Sequence, residues 1–205
     1  MKKMILLAAA LFCAALCGAV MAAEKAGTPQ LTILKEDSGG NLSQMNITPY
    51  TVATDFGLDA YSVGAAVKFT PPKPGWKLTG VQVFGWTGLN KTSKTLPTPQ
   101  EFLLEIRDKD LNLLYRMIDT QNAYFTFPNP IVRLLEIPAL TMNGDFYVIF
   151  YDRGAMVIGA EMMNGTGHSY FFDNRNTSLV GPVEFVSPDT NKSITVNWIL
   201  RAVGE

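Results

Sequence analysis

Hydrophobic and polar residues alternate with a period of two along much of this chain. In "EFLLEIRD" (Glu101 to Asp108), Phe102, Leu104 and Ile106 fall on one face, and the charged residues between them fall on the other. Side chains of an extended strand point alternately to opposite faces of a sheet. The segment is therefore predicted to be a half-buried β-strand.

Comparable runs recur along the chain, and short turn-forming stretches such as "TPPKPG", "DKDLN", "FPNP" and "NGTG" separate them. The other predicted strands are Leu31–Lys35, Gly64–Thr70, Lys77–Trp86, Asn112–Ile118, Ile131–Ile137, Asp145–Tyr151, Ala155–Glu161, Gly167–Asp173 and Ser193–Ala202. No stretch of a dozen residues keeps a helical stripe. The pattern predicts an all-β, antiparallel two-sheet sandwich of jelly-roll type with about nine or ten strands.

The first 22 residues are typical of a signal peptide. Lys2 and Lys3 precede an uncharged apolar run that is shorter than the roughly 20 residues needed to span a bilayer, and "VMA" supplies a small-residue cleavage site after Ala22. We therefore expect an exported protein that is secreted, periplasmic or at the cell surface. Both cysteines lie in the removed segment, so the mature chain would have no thiolate metal site, no cysteine nucleophile and no disulfide.

Residues 23–45 are predicted to be a lead-in that holds a candidate first strand, and residues 46–205 a single β-sandwich domain. Of the 17 Lys and Arg residues, Lys2 and Lys3 would be removed, which leaves 15 against 18 acidic side chains. No basic stripe remains, and no second apolar run approaches membrane-spanning length. Neither nucleic acid nor a membrane span of the mature chain is expected.

The single histidine, His168, lies in "NGTGHSYFFD". On a strand, Ser169 would point to the opposite face from His168, so the two cannot act as nucleophile and base. A single histidine in a chain without cysteines cannot form a His-rich or thiolate metal site, and carboxylates would have to supply the other ligands. A structural role for His168 is favoured, and we assign no catalytic residue and no metal ligand.

Acidic residues leave two alternatives open. "DKDLN" resembles the opening of a calcium loop, but Leu113 stands where that loop needs glycine, so a hairpin turn with two solvated acids is favoured and a structural calcium ion is kept as an alternative. A carboxylate pair for glycoside hydrolysis could be drawn from Asp55, Asp59, Glu161 or Asp173, although the sequence gives no distance between them.

Several aromatic residues fall in or beside predicted loops, where a flat ring could stack on a sugar. Trp76, in "KPGWK", is a candidate for an exposed ring. Trp86 and Tyr61 are further stacking candidates, and the candidate hydrogen-bond partners are Asp55, Asp59 and Asn90. For any single ring, however, filling of the core is favoured over a surface role.

A set of motifs occurs in one order: "GAAVKFTPP", "LTGVQVFGW", "FLLEIRDKDLNLLYR", "IPALTMNGDFYVIFY", "GHSYFF" and "NWILRAVGE". From about Tyr50 to Glu205 this resembles a secreted domain of unassigned function found in archaeal and bacterial extracellular proteins, similar in outline to galactose-binding-like jelly rolls. The resemblance implies a binding or accessory role and assigns no catalytic residue. The polar insertion Thr87–Gln100 departs from it.

These observations lead to three hypotheses. The first is a non-enzymatic exported module that binds carbohydrate or another cell-envelope component. The second is a structural domain of the cell surface that recognises a partner protein. The third, supported least, is a carbohydrate-active hydrolase.

Overall fold

The computed structural model describes residues 30–50, 62–88, 94–96, 98, 100–153, 156–162, 165–186 and 191–205. Their strands are β1 (Thr32–Lys35), β2 (Ile47–Tyr50), β3 (Val63–Phe69), β4 (Trp76–Thr87), β5 (Glu101–Asp108), β6 (Leu113–Thr120), β7 (Ile131–Met142), β8 (Phe146–Tyr151), β9 (Met156–Met162), β10 (Ser169–Asp173), β11 (Ser178–Val180), β12 (Glu184–Val186), β13 (Ser193–Trp198) and β14 (Leu200–Gly204). Single turns of 3-10 helix occur at Leu42–Gln44 and Gln121–Ala123.

The strands form two antiparallel sheets, which confirms the predicted sandwich. The eight-stranded sheet has the order β1-β14-β4-β9-β13-β12, with β2 paired to β9 and β7 paired to β4. The six-stranded sheet has the order β11-β10-β3-β8-β5-β6. Most connections from β3 to β12 cross between the sheets, as in jelly rolls.

Apolar side chains from both sheets fill the space between them. Trp76 and Trp198 are the largest, and both are almost fully buried. All six residues of β8 are buried: Phe146, Val148 and Phe150 pack between the sheets, and on the other face Tyr147, Ile149 and Tyr151 pack with side chains of neighbouring strands.

The described residues form fourteen strands, more than the nine or ten predicted. The short strands β2, β11 and β12 carry too few residues to show a period, and the predicted run Ser193–Ala202 is divided at Ile199. The first strand is also part of the sandwich, because β1 pairs with β14 in the register Thr32 to Gly204. Leu31–Glu205 form one compact unit.

Ile199, which separates β13 from β14, lies at the point where β4 changes its pairing partner from β14 to β9. Residues 78–83 of β4 pair with β14, whereas residues 85–87 pair with β9. Ile199 links β9 to β4, because its N–H donates to the Gly159 carbonyl of β9 and its carbonyl accepts from the Phe84 N–H of β4. One edge of β9 therefore pairs with β4 at residues 156–158 and with β13 at residues 160–162.

Candidate functional site

The outer face of β9 carries a row of three residues with different chemistry. Met156, Ile158 and Ala160 point into the core, so the residues between them, Val157, Gly159 and Glu161, face away from it. The row runs from an aromatic pair at Val157 to a polar cavity at Glu161. At about 3.3 Å per residue, the two ends lie about 13 Å apart.

The aromatic pair consists of Phe84 and Trp86. Both lie on the outer face of β4, where Trp86 is opposite Val157 in register. Their ring centroids are 6.0 Å apart, with an edge-to-face angle of 74°. Phe84 is only 9% exposed, and Trp86 is half-buried. The pair therefore offers one supported, partly accessible ring on the outer surface of the sheet.

Gly159 is required beneath this pair. The Phe84 ring lies directly over its α-carbon, so that a Cβ at this position would be 2.3 Å from Phe84 Cδ1 and 2.8 Å from Phe84 Cε1. A carbon–carbon contact normally needs about 3.5 Å or more. The absence of a side chain at Gly159 allows the Phe84 ring to rest against the sheet.

A cavity of about 310 Å³ lies at the Glu161 end of the row. Its wall on the sheet side is Glu161 and Met162, and the opposite wall comes from residues 38–46, which connect β1 to β2. That segment supplies mainly hydroxyl and amide groups, from Ser38, Asn41, Gln44 and Asn46, together with the apolar Met45. The volume is at the lower end of the range for small-molecule sites.

Glu161 is the only ionisable residue among the described residues that line this cavity, and it is 4% exposed. Its Oε2 accepts hydrogen bonds from the Ser38 N–H at 2.8 Å and from Asn197 Nδ2 at 3.0 Å. Its Oε1 accepts none from the described part of the chain. One carboxylate oxygen is thus fixed by neutral donors, and the other remains free to contact a ligand in the cavity.

An ion pair and hydrogen bonds hold the segment that forms the opposite wall. Asp37 accepts two hydrogen bonds from the Arg201 guanidinium, at 2.7 and 3.0 Å, and both side chains are buried. Glu36 Oε2 lies 2.6 Å from His168 Nδ1, and the Glu36 carbonyl accepts from Thr166 Oγ1. These contacts connect the segment after β1 to β14 and to the loop before β10.

His168 lies immediately before β10, and its side chain pairs with Glu36. Its carbonyl accepts a hydrogen bond from the Lys68 N–H. Ser169 is buried on the core side, where its Oγ accepts from the Trp198 N–H at 2.9 Å. Ser169 and His168 therefore point apart, as the strand alternation predicted. In the described ranges, no group of three or more His, Cys, Asp or Glu side chains could hold a metal ion.

Trp76, the candidate for an exposed ring, is buried. Its side chain is 1% exposed and stacks on Phe146, with 6.1 Å between the ring centroids. "KPG" ends in a turn before Trp76, but Trp76 is itself the first residue of β4 and points into the core. It therefore does not contribute to a surface stacking site.

The other predicted site residues are placed only in part. Asp55, Asp59, Tyr61 and Asn90 lie outside the described residues, as does half of the insertion Thr87–Gln100. Among the described residues, Trp86 is the one predicted stacking candidate that reaches the surface.

The acids considered for hydrolysis and for calcium have separate surroundings. Glu161 belongs to the eight-stranded sheet, whereas Asp173 ends β10 in the six-stranded sheet, where its Oδ1 accepts from the Arg175 N–H.

Asp108 ends β5, and the predicted hairpin turn at "DKDLN" is confirmed. Hydrogen bonds from Asn112 to its carboxylate hold the pKa of Asp108 below its ordinary value.

A buried charged cluster on the six-stranded sheet was not predicted. Glu105 was expected on a solvent-exposed face, but it is fully buried. Its carboxylate contacts Arg107 at 2.8 Å and also binds Arg116, and Tyr151 Oη donates to it at 3.3 Å. Burial raises the pKa of Tyr151 far above its usual range. Because both oxygens of Glu105 are engaged, this cluster stabilises the sheet and leaves no oxygen for a ligand.

Sequence reasoning also missed Phe84 and the segment 38–46. Phe84 could have been found, because residues two apart on a strand share a face and Trp86 was already a candidate. The segment 38–46 gave no such signal, because its contact with Glu161 joins residues more than a hundred positions apart.

No helix among the described residues is long and apolar enough to cross a membrane. Comparisons with protein-family models, with curated proteins and with solved structures found no match to this chain. The resemblance to a secreted prokaryotic domain therefore stays a prediction.

Proposed function

We propose that this chain is an exported, non-enzymatic binding module for a saccharide or a similar polar component of the cell envelope. The ligand would lie along the outer face of β9. Its apolar ring face would contact Trp86, and its polar end would enter the cavity at Glu161.

One observation carries this proposal: a partly accessible aromatic ring, Trp86 on β4, and a polar cavity at Glu161 lie at the two ends of the outer face of β9. Sugars have apolar ring faces, formed by C–H groups, and edges rich in hydroxyl groups. Aromatic rings can contact the former, and carboxylate and amide groups can hydrogen-bond to the latter. The separation of about 13 Å between Val157 and Glu161 suits an extended ligand of a few sugar rings.

A pull-down with insoluble cell-wall polysaccharides tests the proposal, with the fraction of protein bound as the readout. We expect the mature protein to bind and Trp86→Ala to lose most of the binding. The matched control is Leu114→Ala, which shortens an exposed apolar side chain on the six-stranded sheet and should bind normally. No binding by the mature protein, or equal binding by Trp86→Ala, would refute the proposal. Polysaccharide turnover that disappears in Glu161→Gln would instead assign the site to hydrolysis.

A cell-surface protein-interaction domain is the second candidate. The strand β6 forms one edge of the six-stranded sheet and exposes Leu113, Leu114 and Ile118. An exposed apolar edge strand can pair with another chain. Crosslinking in intact envelopes distinguishes the candidates: a single protein neighbour that is lost in Ile118→Lys, without any affinity for polysaccharide, would favour this second function.

A further inference from the structure

We infer that the Glu161 cavity recognises a protonated amine, so that the preferred ligand is an amino sugar with a free amino group. This inference rests on the proposed saccharide-binding function and specifies its ligand class. The juxtaposition that carries it is a buried carboxylate with one free oxygen in a cavity otherwise lined by neutral groups.

The charge of Glu161 has no cationic partner among the described residues. The two groups that donate to Oε2 are a backbone N–H and a side-chain amide, both neutral. The nearby guanidinium of Arg201 is occupied by the two oxygens of Asp37. A buried charge without a counter-charge is costly, so a cationic ligand group at Oε1 would be stabilised there.

The remaining lining matches a single sugar ring. A volume of about 310 Å³ corresponds to about ten water molecules at about 30 Å³ each. Amides from Asn41, Gln44 and Asn46 both donate and accept hydrogen bonds, as sugar hydroxyls require. Met45 and Met162 provide apolar surface for the ring carbons.

Acetylation of the ligand amine provides the discriminating comparison. An N-acetyl group removes the positive charge while leaving the ring hydroxyls in place. A neutral glucose oligomer lacks the nitrogen altogether. If the carboxylate selects a cation, then only the free amine gains the charge-assisted hydrogen bond at Oε1.

The experiment is isothermal titration calorimetry of the mature protein with tetramers of glucosamine, of N-acetylglucosamine and of glucose. We expect the glucosamine tetramer to bind at least about tenfold more tightly than the other two, and more weakly as salt is added. Glu161→Gln should abolish this preference while still binding neutral tetramers. The matched control is Glu136→Gln, which removes an equal charge from an exposed side chain of β7 and should keep the preference.

The possible results distinguish failure of the inferred amine preference from failure of the proposed saccharide binding. Equal affinity for the three tetramers, or a preference that survives in Glu161→Gln, overturns the inference and leaves saccharide binding standing. Binding of none of the tetramers, while polysaccharide is still captured, also overturns it. Failure of both assays removes the proposed function itself. Because the three ligands are compared on the wild-type protein, the test holds even if Glu161→Gln does not fold.

Discussion

Gly159→Ala places a methyl group under the ring of Phe84, and it should destabilise the protein. At most strand positions the same change would be neutral or stabilising by about 0.4–1 kcal/mol, because alanine restricts the unfolded chain. Here the new Cβ would lie 2.3 Å from Phe84 Cδ1 and 3.1 Å from Ile47 Cγ2. The ring must therefore move outward by about 1 Å to reach normal contact distance.

Overpacking of this kind typically costs about 1–3 kcal/mol. After the alanine gain is subtracted, we expect the free energy of unfolding to fall by about 1–2 kcal/mol. For a domain of this size that corresponds to a decrease in Tm of about 2–8 °C. Urea denaturation monitored by circular dichroism measures it, and the m-value should not change. The control is Gly144→Ala, where a Cβ meets nothing within 4 Å and no loss is expected.

A double-mutant cycle identifies the cause. In a Phe84→Ala background the methyl group no longer meets a ring, so Gly159→Ala should cost at least about 0.5 kcal/mol less than in the wild type. An equal cost in both backgrounds, or a stabilising effect of Gly159→Ala alone, would refute the packing of Phe84 on β9. Because the rings of Trp86 and Phe84 pack together, Gly159→Ala should also weaken polysaccharide binding.

Three further predictions concern other parts of the sandwich. Glu105→Gln should lower the free energy of unfolding by about 3 kcal/mol in urea, because two arginines lose their carboxylate; a loss below about 1 kcal/mol would contradict the buried cluster. The hydrogen bond from Lys68 holds the pKa of Asp145 below its ordinary value of 3.8, so its stabilising effect is present above that pH and is lost as the pH falls through the folded pKa. Urea titrations between about pH 6 and pH 3 should therefore show a smaller acid loss for Asp145→Asn than for the wild type, and an identical pH dependence would argue against the pair. Trp76→Ala should cost about 3–5 kcal/mol, whereas folded Trp76→Phe should bind polysaccharide normally; loss of binding in Trp76→Phe at unchanged stability would place Trp76 in the site after all.

Strand alternation predicted the fold because it is a local signal. The run Glu101–Asp108 matches β5 residue for residue, since each inward side chain is set by its place in the pleat. The same alternation failed to predict that the outward Glu105 is buried. That burial depends on Arg116, on the neighbouring strand, and on Tyr151 of β8, which lie 11 and 46 positions away.

The candidate site was predicted only where it follows the strand period. Trp86 is on the outer face of the sheet, as a surface stacking residue requires, but Trp76 was misjudged because a proline-rich turn does not determine the direction of the residue after it. The cavity could not have been predicted, because its two walls come from residues 38–46 and from β9. Only the folded register brings Ser38 to Glu161.

The most direct test of the central claim is a ¹H–¹⁵N correlation spectrum of the mature protein recorded during titration with the glucosamine tetramer. If the ligand lies along β9, the backbone amides that shift should be those of residues 157–161, of Phe84 and Trp86, and of residues 38–46. Shifts confined to the six-stranded sheet, or to the turn after Asp108, would contradict the placement of the site.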